Sequence, residues 1–258
     1  MMDSNRDTAL EEIIQSNLKD AVNWYVRVHN ELGSTMDSAK EELPSIVQKG
    51  RGIILAKRQL SGRGRHGREW QSTPEAFLGT FVFPVSRESQ QLGGLSLAMG
   101  CSVHRAMMSL GAQVYLKWPN DIVASDKKKL GGILIEVVVV GSVHVALVGI
   151  GINLIQGPIG VEGSALKTVL GRGVTIEELT KGLSPTIWDD FCLFQKSGFD
   201  VFKERWLGAS IMLGSTVQIE TGTEILTGRM VGVSPIGQLL LEVNGKIREV
   251  STGHVISF

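Results

Sequence analysis

The chain has 258 residues, of which 43% are hydrophobic and 20% charged; this is ordinary globular usage and excludes disorder, collagen and coiled coil as descriptions of the whole. Lysine plus arginine (26) balances aspartate plus glutamate (26), so the overall charge gives no support to a polyelectrolyte role such as coating nucleic acid. Two cysteines, Cys101 and Cys192, are too few for a disulfide scaffold and lack metal-ligand spacing, so they read as small hydrophobes in a reducing compartment.

Thr8 and Glu11 form a capping box, and Leu10, Ile13, Ile14, Leu18, Ala21 and Val22 keep helical spacing. The acidic start, without a basic segment ahead of an apolar core, argues against a signal or transit peptide and predicts a cytoplasmic chain. A strand over 24–29 follows, then loop and helix over 34–49, a strand over 52–58 and a glycine- and arginine-dense loop over 60–74. Next come a strand over 77–83, a long buried helix over 92–110, and strands over 114–118, 122–124, 130–140 and 143–150. Segments 166–170 and 176–207 read as helical, with a break around Gly198.

The apolar stretch 133–154 is long enough to raise the question of a membrane span. Glu136, His144, Asn153 and the Gly141-Ser142 pair interrupt it, so two buried strands joined by a two-residue hairpin are expected and no membrane partner. From Met212 the pattern shortens to alternating segments at 216–220, 225–233, 238–243 and 247–250. Gly222, Pro235-Ile236-Gly237 and Asn244-Gly245 stand at the turns. The expected organisation is therefore an α+β domain over 1–211 and a small β-barrel over 212–258.

Gly62-Arg63-Gly64-Arg65-His66-Gly67 matches the spelling of a dinucleotide-binding turn. That turn needs a helix opening at its third glycine, and Arg68-Glu69-Trp70-Gln71-Ser72-Thr73-Pro74 is poor helix-starting sequence. The loop instead combines close backbone approach at glycine with planar donors from Arg58, Arg63, Arg65 and Arg68, suited to carboxylate or phosphate. So much like charge repels itself until an anion arrives. A solvated basic loop would have the same composition, so the other segments must decide.

Lys117-Trp118-Pro119-Asn120-Asp121 ends a strand in two polar groups able to hold a metal, phosphate or amine. Lys127-Lys128-Lys129 runs into Leu130-Gly131-Gly132-Ile133-Leu134, where the paired glycines make Lys129 the ligand-facing cation. Gly149-Ile150-Gly151-Ile152-Asn153-Leu154 ends another strand in an amide able to read a base edge.

Together with Gly33-Ser34-Thr35, these segments resemble the biotin protein ligase family in order and spacing over about residues 30–155. The resemblance implies a class II synthetase-like mixed sheet with flanking helices, and an SH3-like fold for the C-terminal barrel. It implies ATP-dependent conversion of biotin, with Mg2+, to biotinyl-5′-adenylate, and transfer of biotin to a lysine of a biotin carboxyl carrier domain.

Carried over motif by motif, the resemblance places Ser34, Thr35 and the neighbouring Met36 at the ureido ring of biotin. Gln59 falls near the carboxylate and phosphates, and Gly131 and Gly132 join Lys129 among the biotin-binding positions. Arg63, Gly64 and Arg65 close over the adenylate with Arg68, and Arg65 holds the carboxylate and α-phosphate. Trp70 faces adenine and Asn153 its edge. Lys129 neutralises charge developing on the carboxylate and α-phosphate, Asn120 helps place Mg2+ or phosphate, and Asp121 receives or positions the incoming amine. No protein cluster that would ligate a metal directly is implied.

Two features depart from the family. Met36 stands where Ser-Thr is usually followed by Asn, which leaves one ring contact unassigned. Only about 30 residues precede the ligase segment, which matches the short form without a DNA-binding domain; a homodimer through the catalytic sheet is compatible with the valine-rich strands. Two alternatives share parts of the pattern: a lipoate–protein ligase or octanoyl transferase on the same fold, and a non-catalytic module that holds biotinyl-adenylate as a signal.

Overall fold

The structure is a computed structural model that describes residues 5–18, 24–71, 73, 75–86, 92–158 and 163–258. Its helices are α1 (Thr8–Asn17), α2 (Thr35–Glu41), α3 (Leu43–Lys49), α4 (Leu95–Ser109), α5 (Leu166–Leu170), α6 (Ile176–Ser197) and α7 (Lys203–Ala209). Its strands are β1 (Tyr25–Leu32), β2 (Gly52–Gln59), β3 (Ala76–Val85), β4 (Tyr115–Lys117), β5 (Asp121–Val123), β6 (Lys129–Val140) and β7 (Val143–Asn153). They are followed by β8 (Thr216–Glu220), β9 (Ile225–Val233), β10 (Leu239–Val243), β11 (Lys246–Val250) and β12 (His254–Ser257).

The first seven strands form one mixed sheet in the order β1-β2-β3-β7-β6-β5-β4, parallel only between β1 and β2. The suspected membrane stretch is the β6–β7 hairpin, turned at Gly141, whose φ of 61° a side chain would resist. Among the described residues no helix is long and apolar enough to cross a membrane. Segment 5–7 runs along β1, with Asp7 N donating to Val28 O (2.8 Å) and Asn30 N to Asn5 O (2.8 Å), and so covers that edge of the sheet.

Two apolar layers hold the sheet. On one face α1, α4, α6 and α7 pack over Val28, Ile53, Leu55, Phe77, Phe81 and Phe83. An aromatic cluster forms there, with Phe83 stacked on Phe191 at 4.5 Å and edge-on to Trp24 at 5.9 Å. Trp24 and Trp206 are buried and Trp188 half-buried. On the other face the short α2 and α3 cover Ile54, Val82, Val145 and Leu147 with Met36, Ala39, Leu43 and Ile46.

The boundaries depart from the sequence expectation where one local rule was outvoted. The helix expected over 34–49 is two helices, because Pro44 starts α3 and forbids continuation of α2. Pro185, by contrast, sits inside α6 without ending it, and the break near Gly198 introduces a 3-10 turn before α7. Expected helical positions Ala21 and Val22 lie outside the described residues, and α1 ends at Asn17.

The C-terminal strands form a five-stranded antiparallel sheet, β11-β10-β9-β8-β12, around Val217, Ile219, Met230, Val233, Leu239 and Leu241, all buried. Asn244 and Gly245 both take positive φ, the hairpin geometry that their pairing in sequence predicts. This sheet is stitched to the larger one: the buried Trp118 indole donates to Gly237 O (3.1 Å).

Candidate active site

The parallel pairing of β1 and β2 sets Leu32 opposite Gln59, so the residues after β1 open α2 directly across from the Gln59 side chain. Ser34 caps α2, its Oγ accepting from Met36 N (3.3 Å). Gln59 Oε1 accepts from both Thr35 N (2.7 Å) and Thr35 Oγ1 (2.9 Å). The fully buried Thr80 of β3 donates its hydroxyl to Thr35 Oγ1 (2.9 Å). A fixed relay of hydroxyl and amide groups thus ends the cleft on the inside. Met36 lines the cleft beside it but adds no polar group: the side chain is 3% exposed and packs into the layer beneath α2, against Gly149.

The glycine-arginine loop folds back on itself. Gly64 N donates to Arg68 O (2.7 Å) and Trp70 N to Gly62 O (2.9 Å), around a 3-10 turn at Arg65–Gly67. Glycine is required at 62, where a Cβ would stand 2.7 Å from the Trp70 carbonyl oxygen. The hairpin lays Trp70 onto the sheet, its ring 2.6 Å from where a Cβ of Gly151 would project. Gly132 and Gly151 therefore make a flat floor under the indole.

Around Trp70 the cleft, about 420 Å³ in volume, becomes strongly cationic. Its lining holds Arg63, Arg65, Arg68, Lys117, Lys127, Lys128 and Lys129 against two acids, Glu69 and Asp121, although the whole chain is neutral. Converging like charges of this kind concentrate an anionic ligand. Burial lowers the pKa of Arg65 below its ordinary value, partly restored by Asp121, and burial does the same to Lys117. Both groups are short of water, so a phosphate arriving there meets poorly solvated cations.

Lys129 Nζ lies 2.6 Å from Asp121 Oδ1 across the β5–β6 pair and 5.7 Å from the Trp70 ring centroid. Asp121, expected to serve an incoming amine, is thus first the group that aims Lys129. Among the described residues no cluster of three or more His, Cys, Asp or Glu side chains is placed to bind a metal. Asn120 Nδ2 is spent on Ile133 O (2.9 Å), holding the β4–β5 turn against β6.

Two expected residues stand apart from the lining, and a third lines it while pairing away from it. Asn153 is buried, its amide nitrogen bonded to Ser164 O (3.1 Å), and it does not line the cleft; segment 163–165 covers it. Gly131 is likewise off the lining, and its role is steric, since a Cβ there would meet Gly151 O at 2.6 Å. Arg63 reaches outward to Asp37 Oδ1 (2.5 Å) and tethers the loop to α2. Other residues escaped the sequence reading. Thr80 carries no motif, Lys117 was overshadowed by Lys129, and Gly253, His254 and Val255 come from the C-terminal sheet, more than a hundred residues from the rest of the lining.

Residues 30–153 match the biotin/lipoate A/B protein ligase family, and residues 212–256 match the biotin protein ligase C-terminal domain. The biotin–acetyl-CoA-carboxylase ligase of Mycobacterium tuberculosis is 32% identical over 79% of this chain and 78% of its own length. The enzyme of the same name from Paracoccus denitrificans is 32% identical over 73% of this chain and 82% of its own. The solved biotin protein ligase of Aquifex aeolicus, in complex with biotin and ATP, superimposes with a TM-score of 0.75 at 28% identity, over 90% of this chain and 97% of that one. With matched segments that contain the relay, the arginine loop and the lysine wall, the chain belongs to the biotin protein ligase family.

Proposed function

We propose that the protein is an ATP-dependent ligase that activates biotin as biotinyl-5′-AMP and then transfers biotin to a lysine of a biotin carboxyl carrier domain. One observation carries the reading: a single cleft joins a hydrogen-bonding inner end, at Thr35 and Gln59 with the buried Thr80 behind them, to a mouth lined by seven lysines and arginines. A ligand with a polar head and a terminal carboxylate fits it head first, which delivers the carboxylate to the cations.

In the first step a biotin carboxylate oxygen attacks the α-phosphorus of ATP and the bond to the β-phosphate oxygen breaks, releasing pyrophosphate. Charge accumulates on the α-phosphoryl oxygens, where Lys129, aimed by Asp121, and the poorly solvated Arg65 oppose it. Mg2+ carried in with ATP would supply further neutralisation on the phosphates, and Asn120, whose Nδ2 is held by Ile133 O, is the residue that would help place it. Trp70 on its glycine floor offers the adenine a flat face. In the second step the neutral carrier amine attacks the acyl carbon, AMP leaves, and the amine proton passes to the Asp121 carboxylate or to water.

Residues 1–211 carry this chemistry and 212–258 complete the mouth. The carrier domain belongs to a carboxylase, the reaction runs in the cytoplasm, and DNA is not a partner. The protein pairs with itself through the open edge of β6. Among the described residues β5 pairs with β6 only at its start, up to Gly132, so the following valines offer free backbone groups on that side.

Mass spectrometry of a purified carrier domain incubated with protein, biotin, ATP and Mg2+ tests the reading. A single biotinyl increment that vanishes without ATP is expected. Acceptance of lipoate or octanoate in place of biotin would overturn the choice of substrate.

A further inference from the structure

The C-terminal sheet touches the arginine loop at two points that the ligase chemistry does not itself require. Arg65 Nη2 donates to Thr252 Oγ1 (3.4 Å), and Arg68 Nη1 lies 3.2 Å from His254 Nδ1. Next to these contacts the Phe258 ring lies under the ammonium groups of Lys127 and Lys117, at 4.6 and 5.1 Å. Arginine is an obligate donor, so Nδ1 of His254 accepts and the ring is neutral, with its proton on Nε2.

We propose that neutral His254 is a positioning residue that holds Arg68, and with it the arginine loop, over the triphosphate end of the cleft, so that acid releases the loop from the C-terminal sheet. The inference rests on the ligase reading above. Protonation removes the acceptor and sets two cations at hydrogen-bond distance. The charged groups around the imidazole are Arg68 from the loop, Lys117 from β4, Asp121 from β5 and Glu220, its cross-strand neighbour on β8. Burial, Arg68 and Lys117 lower the imidazole pKa below its ordinary 6.5, while Glu220 and Asp121 pull it back up. The folded-state contact is therefore intact at neutral pH and is lost only on acidification past the ordinary imidazole range.

Two measurements test this. The first is an NMR titration of the His254 imidazole in the wild type and in Arg68→Ala; removal of the opposing guanidinium should raise the midpoint, and an unchanged midpoint would overturn the coupling. The second is the KM for ATP in biotin-dependent ATP–pyrophosphate exchange between pH 7.5 and 5.5. His254→Asn keeps an acceptor without an imidazole and experiences the same ionisation of ATP. The wild type should lose three- to tenfold more than this variant on acidification, with kcat little changed. His254→Ala should show the raised KM at both ends of the range, with an unaltered thermal midpoint. Superimposable profiles for wild type and His254→Ala would overturn the positioning role. A wild type with no biotin-dependent exchange would instead overturn the ligase reading, and the kinetic role with it.

Discussion

Lys129 and Asp121 show how a single pair can matter to chemistry and little to folding. The Lys129 side chain is 42% exposed and its ion pair faces the cleft, so solvent screens it and its contribution to stability is about 0–1 kcal/mol. Lys129→Ala should therefore shift the thermal midpoint by roughly 3 °C or less. The same change removes a preorganised cation from the α-phosphate and should slow biotin-dependent pyrophosphate exchange on the order of a hundredfold or more. A large loss of thermal stability with normal exchange would mark the residue as structural instead. Motif spacing singled out Lys129, Arg65 and Trp70, and all three line the one cleft. Met36 was illegible: its side chain answers to the apolar layer under α2, a tertiary neighbourhood with no trace in the local sequence.

The arginine loop behaves as an element defined by close approach. Glycine at 62 admits the Trp70 carbonyl, and glycines at 132 and 151 admit its ring, so three unremarkable positions on two strands and a loop set one aromatic surface. The sequence marked Gly149-Ile150-Gly151 only as the approach to Asn153; that Gly151 admits the Trp70 ring depends on the loop folding over the sheet. Asn153, two residues on, is turned away into a bond with Ser164 O. Gly151→Ala would place a methyl 2.6 Å from the indole and push it off the floor. If adenine uses that indole face, about 1–3 kcal/mol of stacking is lost, a five- to hundredfold rise in the KM for ATP. Calorimetric affinity for biotin alone should stay within a factor of about two, since the Thr35–Gln59–Thr80 relay lies elsewhere in the cleft. Equal losses for both ligands would mean that the substitution disturbed β7 rather than Trp70.

On the scale of the whole molecule, the two edges of the seven-stranded sheet are treated differently. Segment 5–7 covers β1, whereas β6 runs on past its short partner β5 and leaves Val137 and Val139 exposed at 37% and 60%. The sequence displayed this strand as a valine run but could not reveal that its neighbour stops early, because strand length and order are properties of the assembled sheet. A long apolar edge with free backbone groups is a template for another strand, and the proposed second copy would supply an identical one, antiparallel about a two-fold axis. The expected species in sedimentation velocity at micromolar concentration is then twice the 28.0 kDa chain. Val139→Lys places a charge at the centre of that seam and should return the protein to the monomer mass while leaving pyrophosphate exchange intact, because the cleft lies at the other end of β6, around Lys129. A wild type that sediments as a monomer would transfer the edge to the carrier domain. Val139→Lys would then raise the KM for the carrier and leave adenylate formation unchanged.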